Sequence, residues 1–392
     1  MKKYFFLAAI AAVGLASCSS DETIASQATS ESNEISFRPL MNNVTRAADI
    51  NATTLETVGF YVSARKHSGD TEYFSDVAYT TYADVSGTKT WTSPDKQYWP
   101  SDDSELDFYA YSPQATGDGH NAQITAHSTY KTFTVQPSTN ISEQVDLIFA
   151  NANQKKKSTN GTTGIGLNFR HTGAKIVCKV KNTSTSLVFG VEGWKVGYLS
   201  PSGTFTYADS NTDGKNSGSG TTLTFGQWGS WAAASIATEY SSTFSKVDIA
   251  AKVVSPEDVH ETTLSGEMIL VPQTLTKATD YASTANEAKL NGSFIAVKLY
   301  ILNNVNSELV AGGGATGSPT TIWAIWPIGG YNWEPGKKYT YTIDLAGGGY
   351  YEKNDNNGSS DDLIPLIDGS EIKFVDVTVD DWTDVAKAVP ES

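Results

Sequence analysis

The side chains able to do chemistry are spread thinly along this chain. Five histidines stand at positions 67, 120, 127, 171 and 260, and no two share the spacing of a metal-binding pair. His171 follows Phe169-Arg170 and leads into an alternating segment, so a local structural hydrogen bond is expected of it. Ser128-Thr129-Tyr130-Lys131 has the Ser-x-x-Lys order of an acylating serine. Its companion motifs are missing, and it opens a strand rather than a helix, which argues against that chemistry. Asp355, Asn357, Ser359 and Asp361 alternate around Gly358 as the oxygen ligands of a calcium loop do. No bidentate glutamate closes the loop at the proper spacing, so a solvated acidic loop is expected and calcium is the alternative. Glycine-rich phosphate loops, nucleophile elbows and zinc helices are absent from the sequence. Neither catalysis nor a cofactor is expected.

The strongest chemical signal is at the start. Lys2 and Lys3 precede an apolar run from Tyr4 to Gly14, closed by Leu15-Ala16-Ser17-Cys18. A basic head, a short apolar core and small residues form a secretory signal, here residues 1–17, too short to span a bilayer. The small residues directly before Cys18 resemble a lipoprotein lipobox, in which the thiol is acylated (palmitate and related chains) and becomes the new N-terminus. Each buried methylene of such chains contributes about 0.8 kcal/mol, so several chains anchor the protein durably. Residues 18–33, rich in Ser, Asp, Glu and Thr, read as a flexible tether above the membrane. With Cys18 acylated, Cys178 has no partner in the chain. It sits in Lys175-Ile176-Val177-Cys178-Lys179-Val180-Lys181, where alternation puts Ile176, Cys178 and Val180 on one face, so it is expected to be a buried structural thiol.

Composition and charge set the class. The chain is long enough for two domains, and it is rich in Thr, Ser, Gly, Asn, Tyr and Val with almost no helical periodicity. Short alternating runs separated by Gly, Asn, Asp and Ser clusters predict an all-β protein of sandwich type. A net charge of −15, with no basic cluster, excludes nucleic acid as a partner. The one basic run, Lys155-Lys156-Lys157, is expected to be solvated. The first strand is placed at about residues 34–40, with Ile35 and Phe37 on one face, followed by a polar loop at 41–49. A basic, Asn/Thr/Gly-rich stretch to Gly164 marks the domain boundary, giving domains at 34–160 and 161–392. A short helix is expected within Ser230–Tyr240, around Ala232, Ala233 and Ala234. The last strand is expected within Glu371–Trp382, where Val375, Val377 and Val379 alternate.

These features, in order, resemble the fimbrillins, the FimA/Mfa-type (type V) pilins of Bacteroidales. The resemblance rests on Cys18, on Thr45-Arg46-Ala47, and on short motifs along most of the chain. In the first half these are Val58-Gly59-Phe60-Tyr61, Tyr98-Trp99-Pro100, Asp107 to Pro113, and Asp146-Leu147-Ile148-Phe149-Ala150. In the second half they are Phe169-Arg170-His171-Thr172-Gly173-Ala174-Lys175, Leu270-Val271-Pro272-Gln273, Trp333 to Tyr341, and Val377-Thr378-Val379-Asp380-Asp381-Trp382.

The resemblance implies two transthyretin-like Greek-key β-sandwiches in tandem and export as a lipoprotein precursor of the outer membrane. It implies assembly with other pilin subunits into a surface fimbrium with an adhesive role. It also implies cleavage by an arginine-specific or trypsin-like protease, which here falls between Arg46 and Ala47 and would release Ile35 and Phe37 with the first strand. Losing a strand opens an apolar groove with unpaired backbone groups on both sides, a receptor for a strand from another chain. The segment carrying Val375, Val377 and Val379 is either that donor or simply the last strand. A stalk subunit, a tip or anchor subunit, and a tethered binding protein using Trp323, Trp326, Tyr331 and Trp333 all remain open at this level.

Overall fold

The computed structural model describes residues 33–40, 52–85, 87–114, 123–207, 226–254, 257–278, 291–315, 317–352, 363–367 and 375–382. In chain order its first strands are β1 (Phe37–Leu40), β2 (Phe60–Lys66), β3 (Glu72–Tyr79), β4 (Thr81–Val85), β5 (Thr88–Thr92), β6 (Leu106–Ser112), β7 (Ile124–Ala126) and β8 (Thr132–Val135). Then come β9 (Ile148–Lys155), β10 (Ile165–Asn168), β11 (Arg170–His171), β12 (Ala174–Asn182), β13 (Leu187–Leu199), β14 (Gly203–Thr206), β15 (Gln227–Gly229) and β16 (Ser235–Ile249). The all-β expectation holds.

Two sheets, ordered β10-β1-β5-β4 and β11-β9-β6-β2-β3, enclose the first core. Alternate residues make it: Phe60, Val62 and Ala64 from β2, and Phe108 and Ala110 from β6, meet Ile35, Phe37, Trp91, Ile165 and Leu167. The facing positions of β6 are buried too. Tyr109 and Tyr111 pack on a second aromatic layer with Phe133, Phe149, Phe205 and Tyr207, so β6 is a strand apolar on both faces.

The second core lies between two further sheets. One runs His260–Thr263, β12, Lys337–Asp344, Asp376–Asp381, and the other is built on β16, β13, Phe294–Asn303 and Ile322–Pro327. Ile176, Cys178 and Val180 face this core with Trp194, Trp326 and Tyr341. A small sheet, β15-β14-β8-β7, draws strands from both halves of the sequence and ties them together.

Two expectations are corrected. The first sandwich does not end at Asn160: β10 pairs with β1 and β11 with β9, so its strands run on to His171. Lys157–Asn160 forms only a single helical turn between them. The helix expected at Ser230–Tyr240 is absent, because Ser235–Ile249 is the long strand β16, paired along β13 from Leu199↔Ser235 to Phe189↔Ile249. Tyr240 and Ser242 are buried at two-residue spacing, and the three alanines lie just before the strand in no regular element. A short helix at Ala52–Val58 buries Leu55 in the first core.

Cys178 is fully buried and free, and burial pushes its thiol well above the ordinary range. Folded protein is therefore expected to resist a thiol reagent at pH 8, with Cys178 labelled only as denaturant unfolds the second sandwich. Rapid labelling without denaturant would contradict this packing.

Candidate assembly site at the first strand

β1 is not an edge strand. It lies between β10, which it meets in parallel from Phe37↔Ile165 to Leu40↔Asn168, and β5, which it meets antiparallel at Phe37↔Trp91. The preceding residues extend the contact: the Ile35 amide donates to the Gln97 carbonyl at 2.7 Å, and the Trp99 amide to Asn33 at 2.9 Å. Ser36 accepts from the Ile165 amide at 2.9 Å, and Glu34 pairs with Lys96 at 3.0 Å. Side chains do the heavier work. Phe37 stands edge-on to Tyr79, Phe108 and Phe60, with ring centroids 4.7, 5.3 and 6.1 Å away. Ile35 and Phe37, singled out from alternation alone, are both 0% exposed.

Removing this strand would split one sheet of the first sandwich down its middle. The facing sides of β10 and β5 would lose their backbone partners. A hole the size of Ile35 and Phe37 would open among aromatic rings. What the fold offers here is a strand-shaped receptor that is filled by the chain's own strand.

The far end of the chain is held differently. Asp376–Asp381 pairs only with Lys337–Asp344, at the edge of its sheet. Val375 is buried, Val377 is half-buried and Val379 is exposed, so one side of this strand is weakly used. Its anchor is Trp382, which sequence reasoning gave no role. The indole stacks on His171, centroids 4.2 Å apart and 8° from parallel, and the Lys175 ammonium lies 5.5 Å from its ring. His171 is oriented by Asp146 at 2.7 Å, a hydrogen bond to a residue distant in sequence rather than the local one expected. The Trp382 amide donates to Gly336, whose own amide donates to Gly173. A Cβ on Gly173 would come within 3.0 Å of Ile269 and 3.5 Å of Trp382. Four separate sequence motifs thus converge on one joint between the first sandwich and the last strand.

The other candidates resolve plainly. Cys18, Arg46, Ala47, Asp355, Asn357, Ser359 and Asp361 lie outside the described residues. Among the described residues no group of His, Cys, Asp and Glu could hold a metal. Lys131 pairs with Asp70 at 2.6 Å rather than with Ser128. Trp326 and Trp333 are core residues, and Trp333 Nε1 donates to the Tyr341 hydroxyl at 2.8 Å. Tyr331 is exposed, and Trp323 lies under the Lys195 ammonium, so the four aromatics form no common platform. His67 meets Asp107 at 2.9 Å. That hydrogen bond holds the imidazole above its ordinary value against a smaller opposing effect of burial.

Phe37→Ala is expected to destabilise the first sandwich by about 3–5 kcal/mol, read as a lower denaturation midpoint; a loss under 1 kcal/mol would show that the pocket does not depend on the ring. The His67–Asp107 contact contributes stability that is complete below the ordinary histidine range, about 6.5, and is lost as pH rises through the raised value. His67→Gln should flatten that part of the Tm–pH profile, and an unchanged profile would remove His67 as its source.

A family model described as fimbrillin-like matches residues 45–382. A fimbrial protein from Bacteroides vulgatus is similar in structure at 13% identity, covering 89% of this chain and 99% of its own, with a TM-score of 0.47. The tip fimbrial protein Mfa3 from Porphyromonas gingivalis, solved with a C-terminal truncation, is 10% identical. That match covers 89% of this chain and all of its own, with a TM-score of 0.33. No curated protein matches the chain. With a family model spanning most of its length and an all-β fold beneath it, this chain belongs to the fimbrillin-like family.

Proposed function

We propose that the protein is a structural subunit of a surface fimbrium that polymerises by strand exchange after cleavage following Arg46. In this reading it is exported as a lipoprotein acylated at Cys18, its two halves are transthyretin-like sandwiches, and a trypsin-like protease at the cell surface triggers assembly. The observation that carries it is the place of β1: a central strand with a fully buried phenylalanine, followed six residues after Leu40 by an arginine. A cut there would sever β1 from the rest of the sandwich while leaving its backbone and side-chain partners in place.

The C-terminal arm supports the reading from sequence. Glu371-Ile372-Lys373-Phe374 repeats the Glu-Ile-x-Phe of Glu34-Ile35-Ser36-Phe37. Residues 371–374 lie outside the described residues, but in extended chain their apolar side chains have the spacing of Ile35 and Phe37. Val375 and Val377 occupy the opposite parity. One arm could therefore serve its own sandwich through its valines and a neighbour's groove through Ile372 and Phe374. Several backbone bonds at about 0.5–1.5 kcal/mol each, together with two large apolar side chains, would make the exchanged joint durable.

Purified precursor treated with trypsin should be cut first after Arg46 and should yield heat-resistant oligomers. Arg46→Ala should remain monomeric, and the surface-exposed wild-type form should begin at Ala47. A surface form that begins at Cys18, or a cut product that stays monomeric, would overturn strand exchange.

A further inference from the structure

The far pole of the second sandwich carries valines that the fold itself does not use. β12 runs from Ala174, beside the joint with the first sandwich, to Asn182, roughly 30 Å away at an extended-strand rise. Three loops gather at that end around the turn Thr183–Ser186. The Lys252 amide donates to Ser184 at 2.7 Å and the Asn304 amide to Ser186 at 2.8 Å. The Thr183 hydroxyl donates to Asp344 at 2.6 Å. On these loops and the short strands that adjoin them (Val253–Val254 and Leu309–Ala311), Val253, Val254, Val305 and Val310 are exposed, Val254 by 72% and Val305 by 89%.

Among the described residues Val253–Val254 pairs only with Glu257–Asp258. Successive side chains of a strand point to opposite faces, yet both valines meet solvent, so neither face of this ribbon rests on the core. A two-stranded ribbon of this kind gains little stability alone, and exposed aliphatic clusters mark contact surfaces.

The chain also indicates what would cover this pole. Asp376 lies here, 3.5 Å from Lys181 and in register with Thr342, so the last strand starts at this end of the subunit, and Glu371–Phe374 precede it in sequence. If the C-terminal arm that contains them fills the place of β1 in a second copy, it enters beside Asn33, where β1 begins. Asn33 lies at the outer end of the first sandwich, with Trp99 and the segment Pro100–Glu105. Tyr98 is exposed there. The lysine run Lys155–Lys157 is there as well, alongside Asp102, Asp103 and Glu105, so acidic and basic groups are interspersed and charge is not what selects the contact.

We infer that Val253, Val254, Val305 and Val310 form an aliphatic end-to-end contact with the outer end of the first sandwich of a second copy, around Tyr98. The inference rests on strand exchange for its direction, but the contact itself exists independently of cleavage.

The test compares full-length precursor with Val254→Asp/Val305→Asp, and with Tyr331→Ser as an exposed control at the other end of the second sandwich. Uncut wild type at high concentration should show weak self-association by sedimentation velocity. This should be lost in the double variant, kept in the control and little changed by 0.5 M salt. After trypsin, the double variant should elongate about tenfold more slowly than wild type, as expected for loss of a small apolar hot spot. If wild type polymerises and the double variant matches it in both assays, the valine contact is wrong while strand exchange stands. If cut wild type stays monomeric, strand exchange is wrong, and the uncut association alone decides the contact: valine-dependent association upholds it, and its absence overturns it.

Discussion

Everything in the first half of this molecule depends on one short strand being in the middle. Phe37 meets the rings of Phe60, Tyr79 and Phe108, and the β1 backbone joins β10 to β5. Either contribution alone would make β1 hard to lose. Together they make the sandwich incomplete without something of that shape. An incomplete sheet has a single remedy, which is a strand of matching parity, and the only question is which chain supplies it. In the strand-exchange reading, a cut at Arg46, six residues after β1, would convert this folding requirement into a condition for assembly.

The opposite end of the chain is attached by one aromatic stack and one edge of a sheet. Trp382, stacked on His171, links the final strand to the first sandwich. The contrast in anchoring is physical: a strand bonded on two sides and buried leaves only when cut, whereas a strand bonded on one side can leave by unstacking.

Much of this was legible from alternation. Ile35, Phe37 and the Cys178 face followed from period-two patterning, because burial on one side of a strand is written directly in residue parity; that His171 is hydrogen-bonded was expected, but its partner Asp146 was not. The joint at Trp382 was not legible, because its residues come from four motifs far apart in sequence that tertiary pairing brings together, in part the parallel pairing of β12 with Lys337–Asp344. The helix expected near Ala232 failed because composition was read without the neighbouring strand that claims the segment. The boundary was placed early because a polar stretch between β9 and β10 is a crossover within one sandwich rather than a link between two.

The parallel register of β1 with β10 has a mechanical consequence. Four residue pairs, Phe37↔Ile165 to Leu40↔Asn168, lie side by side along one direction. A pull along that direction loads their slanted hydrogen bonds together, in shear. A pull across the sheet would open them one after another, as a zipper does. A strand seated in that slot, whichever molecule it came from, therefore resists tension along its own length far better than it resists peeling, which is the asymmetry a load-bearing thread requires.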